Sequence, residues 1–75
     1  MNGAVTTTEP TYYFVIDGTA VPPVDGHEGF GIARMPAPGP TPAHAAHYGH
    51  QHLMSEVWQR FGCTVWVEDA EGNRY

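Results

Sequence analysis

Residues 41 to 75, TPAHAAHYGHQHLMSEVWQRFGCTVWVEDAEGNRY, decide the fold class of this chain. Thr41 can cap a helix, Pro42 suits its first turn, and Gly62 supplies a left-handed end. At about 100° per residue, one face of this helix collects a mostly apolar set of side chains. They are Ala46, His50, Leu53, Met54, Val57 and Phe61. We therefore predict one helix over residues 42 to 61 that packs on a sheet.

The residues after the helix have the alternating pattern of a strand. Cys63, Val65 and Val67 alternate with Thr64, Trp66 and Glu68. Side chains at alternate positions point to opposite faces of a sheet. If the valines meet the helix, Trp66 therefore lies on the far face. The acidic turn EDAEGN follows, and we expect a last strand to begin after it.

The N-terminal half predicts two further strands. Residues 11 to 17, TYYFVID, are β-branched and aromatic and end at a turn dipeptide, Asp17-Gly18. Residues 29 to 35, GFGIARM, are predicted to pair with them, and the proline-rich residues 36 to 42 form a stiff linker.

Together these segments predict a small α+β domain of order β-β-α-β-β. The domain covers residues 11 to 75, with one helix packed across one face of an antiparallel sheet. A parallel pair of central strands would fit the helical crossover equally well. Residues 1 to 10 are small and polar, and we predict that they form a flexible arm.

Charge and hydropathy restrict the partners that this chain can have. The chain has eight carboxylates, three arginines and no lysine, which gives a net charge of −5. Such a field repels nucleic acid and anionic membranes, and it suits a protein partner with a basic surface. No run approaches the ~20 apolar residues that span a bilayer, and no leader pattern precedes the domain. We therefore expect a cytoplasmic protein.

The far face of the predicted sheet is a candidate partner surface. Tyr13, Val15 and Trp66 should emerge there, where no second layer is predicted to cover them. An uncovered aromatic patch on a small domain is typical of a partner site or a dimer interface. The alternative is that the arm or residues 19 to 28 fold over it. The acidic residues that would steer a basic partner are Glu68, Asp69 and Glu71.

A zinc site is the alternative function. His44 and His47 have the i, i+3 spacing that can chelate from a helix, and His27 and Cys63 could complete the ligand set. The chain has no C-x2-C pair, and a continuous helix does not let all its histidines converge.

The sequence does not indicate an enzyme. Cys63 opens a strand and is predicted to be a buried thiol, and Ser55 is predicted to lie on the polar face of the helix. Neither residue has a partner at a spacing typical of nucleophilic catalysis.

The pattern as a whole resembles a class of phage proteins. TYYFVIDG, EGFGIARM, a helix ending WQRFG and the hairpin TVWVEDAEGNRY are similar in order and size to small phage and mobile-element proteins. Among these, several anti-CRISPR proteins are acidic single domains with a sheet and one helix. The resemblance covers residues 11 to 75 and implies a stoichiometric inhibitor that binds a host defence protein. The resemblance is limited to architecture and charge, so it assigns no site residue to this chain.

Overall fold

The computed structural model describes residues 11 to 23, residue 26 and residues 29 to 75. The predicted arm, residues 1 to 10, and the candidate zinc ligand His27 lie outside the described residues. The elements in chain order are β1 (Tyr12–Asp17), β2 (Ile32–Ala37), α1 (Pro42–His52), α2 (Ser55–Arg60) and β3 (Thr64–Asp69).

The three strands form one antiparallel sheet in the order β2-β1-β3. β1 is central because its residues are apolar on both faces, with Phe14 and Val15 only 2% and 1% exposed. The α+β class and the antiparallel pairing of the first two strands are confirmed. The predicted β-β-α-β-β order is corrected to β-β-α-α-β. After β3, the described residues form only an isolated bridge between Glu68 and Arg74.

The predicted single helix is two helices, because the helical conformation is interrupted at Leu53 and Met54. Met54 has φ 54° and ψ 50°, a left-handed conformation that ends α1 and turns the chain into α2. Two hydrogen bonds hold the break. Ser55 Oγ is bonded to His50 Nδ1 at 2.5 Å, and the Trp58 indole N–H donates to the Leu53 carbonyl at 3.0 Å.

The core lies between the helices and one face of the sheet. Its buried residues are Phe14, Ile16, Ala37, Ala45, Cys63 and Val67. α1 approaches β1 closely through Ala45 and Gly49, both buried, because neither has a large side chain. Val65 and Val67 pack on this core, which meets the condition under which the sequence places Trp66 on the far face. The predicted helix face is not the buried one, since Met54 and Phe61 are 60% and 58% exposed.

Neither described helix is long and apolar enough to cross a membrane.

Candidate interaction surfaces

The far face of the sheet carries the aromatic residues that the sequence places there. Val15 of β1 lies opposite Arg34 of β2 and Trp66 of β3, and Tyr13 lies opposite Pro36 and Glu68. Tyr13, Val15 and Trp66 therefore share one face, on the side away from the helices, as predicted.

Two arginines lie over this face. The Arg34 guanidinium is 3.7 Å from the centre of the Tyr13 ring, and that of Arg74 is 3.9 Å from the Trp66 ring. Both distances are within the range of a cation–π interaction. Val15 lies beneath its neighbours and is 1% exposed, so it offers no contact area in this conformation. The predicted arm, and residues 24, 25, 27 and 28 of the other predicted cover, lie outside the described residues.

Glu68 holds one of these arginines in place. Its carboxylate forms an ion pair with Arg34 Nε and accepts a hydrogen bond from the Trp66 indole at 2.9 Å. Arg34 also donates to the Asp69 carbonyl at 3.1 Å. The bond from Trp66, and then that from Arg34, lowers the pKa of Glu68. Glu68 is thus engaged within the chain.

Asp69 organises the turn after β3. Its Oδ1 accepts from the backbone N–H groups of Glu71 and Asn73, each at 2.9 Å. Its Oδ2 accepts from the Asn73 amide and the Tyr75 hydroxyl, each at 3.0 Å. These bonds, those from Asn73 foremost, lower the pKa of Asp69 from 3.8 to about 2. Of the three predicted steering residues, Glu71 is exposed, and its side chain forms no hydrogen bond with the described residues.

A second surface, which we call the groove, opens on the helix side of the sheet. It has a volume of about 550 Å³. The sheet contributes its floor, and the break between the helices and α2 contribute its wall. The residues that define it are Ile16, Ala33, Met35, Leu53, Val57 and Trp58.

Exposed apolar side chains gather at the groove. Phe30 and Met54 line it and are 44% and 60% exposed. Phe30 closes one end, with its ring 6.1 Å from that of Trp58 and 6.3 Å from that of Phe61. A contiguous apolar surface of this kind is unusual on a small monomer and is typical of an interaction site.

The candidate zinc ligands that the structure describes, His44, His47 and Cys63, are not brought together. No three histidine, cysteine or acidic residues lie close enough to hold a metal ion within the described parts of the chain. His44 Nδ1 is bonded to Thr41 Oγ1 at 2.6 Å, His47 is exposed, and Cys63 is buried in the core. Zinc binding stays a prediction, because His27 is outside the described residues.

The groove was not predicted from the sequence. Met54, Val57 and Phe61 were expected on the buried helix face, since their spacing fits an unbroken helix. Phe30 was assigned to a strand. One signal pointed to the break: Ser55 followed by Glu56 is a typical helix start, although it stands inside a longer helical pattern.

The chain matches no protein-family model, no curated protein and no solved structure.

Proposed function

We propose that this chain is a small protein-interaction module that binds a host protein stoichiometrically through the groove and so inhibits or modulates it. The proposal includes action in the bacterial cytoplasm and an origin in a phage or mobile element, as the resemblance to anti-CRISPR proteins implies. It does not include an enzymatic activity.

The observation that carries this proposal is the apolar groove. Its lining combines aromatic and aliphatic side chains, and the most exposed of them stand at its margins. Anchor residues of protein interfaces are large, apolar and placed in concave, desolvated sites. An isolated exposed leucine would need no explanation, but this continuous set does.

Met54 strengthens the proposal. It is the one non-glycine residue with positive φ among the described residues. A left-handed conformation costs an L-residue roughly 1–2 kcal/mol, a cost that glycine avoids. Burial does not offset this cost, because the side chain is 60% exposed at the groove. A strained position that carries an exposed apolar side chain is expected where that side chain has a binding role.

The far face supports the proposal less well. Tyr13 and Trp66 are half-buried beneath two arginines, and Val15 is buried. The net charge of −5 still favours a partner with a basic surface.

The experiment compares three variants in an affinity pull-down from bacterial lysate, followed by reconstitution with the purified partner. Val57→Asp puts a carboxylate at the groove, Gln51→Asp puts the same charge on exposed α1, and Trp66→Ala alters the far face. We expect a one-to-one complex that Val57→Asp weakens at least about tenfold, since a desolvated carboxylate is costly, and that Gln51→Asp retains.

Circular dichroism of each variant controls for folding. Binding that survives Val57→Asp and is lost with Trp66→Ala would move the contact to the far face. Binding that is lost on adding EDTA would instead favour the histidine-based zinc protein. A chain that forms no complex with any purified candidate would contradict the proposal.

A further inference from the structure

β2 is an open edge of the sheet, and its pairing with β1 shows which backbone groups point outward. The Gly18 N–H donates to the Gly31 carbonyl at 2.9 Å, which places this pair in hydrogen-bonded register. Hydrogen-bonded and non-hydrogen-bonded pairs alternate in an antiparallel ladder. The backbone groups of Ala33 and Met35 therefore face β1, and those of Ile32 and Arg34 face outward. Pro36 also stands at an outward position, where its missing N–H leaves the ladder intact.

The opposite edge of the sheet is partly occupied by the chain's own C-terminal residues. The Tyr75 N–H donates to the Val67 carbonyl at 2.9 Å, and the Asp69 N–H donates to the Asn73 carbonyl at 3.0 Å. The C-terminal residues thus cover the end of β3, from Val67 to Asp69. No described residue bonds to the outward backbone groups of Ile32 and Arg34. Edge strands of this kind pair readily with another chain, and the charged side chain of Arg34 is drawn to the far face by Glu68.

The groove runs beside this edge. α2 packs on β3 and α1, and α1 also contacts β2. Ala37 of β2 is buried, so the helix-facing side of β2 is less covered at Ala33 and Met35, beside the groove. Ala33 is exposed and Met35 is half-buried there. A strand added to β2 would place every second side chain on this side of the sheet, next to the groove.

The charge of the surface limits what such a strand can carry. No aspartate, glutamate, lysine or arginine lines the groove among the described residues. A charged side chain inserted there would lose its water without gaining a partner, which is costly. The chain as a whole carries −5, so it favours basic over acidic residues in the flanks of the incoming segment.

We propose that β2 accepts an extended segment of the partner protein as a further strand, with uncharged apolar side chains at alternate positions seated in the groove and basic residues at its ends. This inference rests on the proposed function and specifies the chemistry of the partner. The backbone bonds would supply affinity, and the groove would select the side chains.

The test uses synthetic peptides of the pattern Arg-X-Thr-X-Thr-X-Arg, with X valine, leucine or phenylalanine, and hydrogen exchange of the full chain followed by NMR. The expected result is protection of the Ile32 and Arg34 amides, on the order of 100-fold at a peptide concentration of about 100 Kd. The Ala33 and Met35 amides are internal controls, because they are already bonded to β1.

Two N-methylated isomers of the best peptide separate strand addition from apolar contact. Methylation of alternate amides along the edge that faces β2 should abolish binding, and methylation along the other edge should leave it unchanged. Val57→Asp should weaken binding at least about tenfold, and Gln51→Asp should not.

Three outcomes would overturn strand addition. They are no protection with any peptide, equal binding of both isomers, and an apolar peptide that binds no better than one with aspartate at X. A purified partner that depends on Val57 but leaves the Ile32 amide unprotected would refute strand addition and leave the interaction function standing. Protection of these amides without added peptide, growing with protein concentration, would show that a second copy of this chain occupies the edge instead.

Discussion

At the scale of single residues, Gly49 determines how closely α1 approaches the sheet. Gly49 is buried within α1, and a Cβ at this position would overlap the Phe14 ring. Glycine inside a helix is normally unfavourable by about 1 kcal/mol relative to alanine. Here the missing side chain lets the helix backbone rest on Phe14, which is 2% exposed. Gly49 is therefore a contact point inside α1.

We predict that Gly49→Ala destabilises the fold. Alanine improves helix propensity, but its methyl group must displace the Phe14 ring in a packed core, and overpacking typically costs about 1–3 kcal/mol. The net loss in the free energy of unfolding should therefore be up to about 2 kcal/mol, measured by urea titration.

His47→Ala is the matched control for this change. His47 is exposed in the same helix, so alanine there gains propensity without a clash and should leave stability unchanged or raise it by a few tenths of a kcal/mol. Equal or higher stability of Gly49→Ala would show that Gly49 is not in close contact with Phe14.

At the scale of elements, the break between α1 and α2 is what separates the structure from the sequence pattern. The apolar spacing continues through Leu53 and Met54, and neither residue is a helix breaker. The helix caps at Thr41 and Gly62 were predicted correctly because they depend on local chemistry. The break between the helices was not predicted. Ser55 is 0% exposed, and its hydrogen bond to His50 exists only after the helices have packed.

The same reasoning explains what could be predicted of the candidate sites. The far face follows from strand alternation, so the placement of Tyr13, Val15 and Trp66 was predicted correctly. The arginines that lie over this face were not predicted, because the pairing of Arg34 and Arg74 with aromatic rings depends on strand order. The groove depends on where α2 turns, which no local pattern specifies.

We predict that the Ser55–His50 bond couples the two helices. A double-mutant cycle of Ser55→Ala and His50→Ala should give a coupling of about 1 kcal/mol, the usual net contribution of a hydrogen bond. Each variant is measured by urea unfolding at neutral pH.

A cycle of Ser55→Ala with His47→Ala is the control, because no hydrogen bond joins those two side chains in the structure. Its coupling should be near zero. Equal coupling in both cycles would mean that Ser55 acts through burial alone and not through His50.

At the scale of the whole molecule, the two faces of the sheet have different chemistry. The face that packs on the helices is apolar, and so is the groove beside it. The far face carries arginine, aromatic and carboxylate side chains that contact one another. Asp17 belongs to the carboxylate set, because the Thr19 hydroxyl donates to it at 2.6 Å and lowers its pKa. Glu68 lies on the same face, whereas Asp69, the next residue of β3, holds the turn after the strand. Three carboxylates with lowered pKa values thus hold the far face and the turns that flank the strands, so acid should weaken these contacts.

We therefore predict loss of stability in acid, with Asp69 contributing a defined part. A carboxyl group whose folded pKa is lowered binds fewer protons in the folded than in the unfolded state, so stability rises with pH in that range. The contribution of Asp69 is fully present above its unfolded pKa of about 4 and is lost as pH falls through its folded value of about 2. Urea unfolding at several pH values from 5 to 2 should show the urea midpoint falling steadily as the pH falls.

Asp69→Asn removes this titration and places an amide N–H against the groups that donate to Asp69. The variant should therefore be less stable at pH 5, and its urea midpoint should fall less steeply with pH. An unchanged slope in Asp69→Asn would show that the bonds from Asn73 and Tyr75 do not stabilise the charged carboxylate.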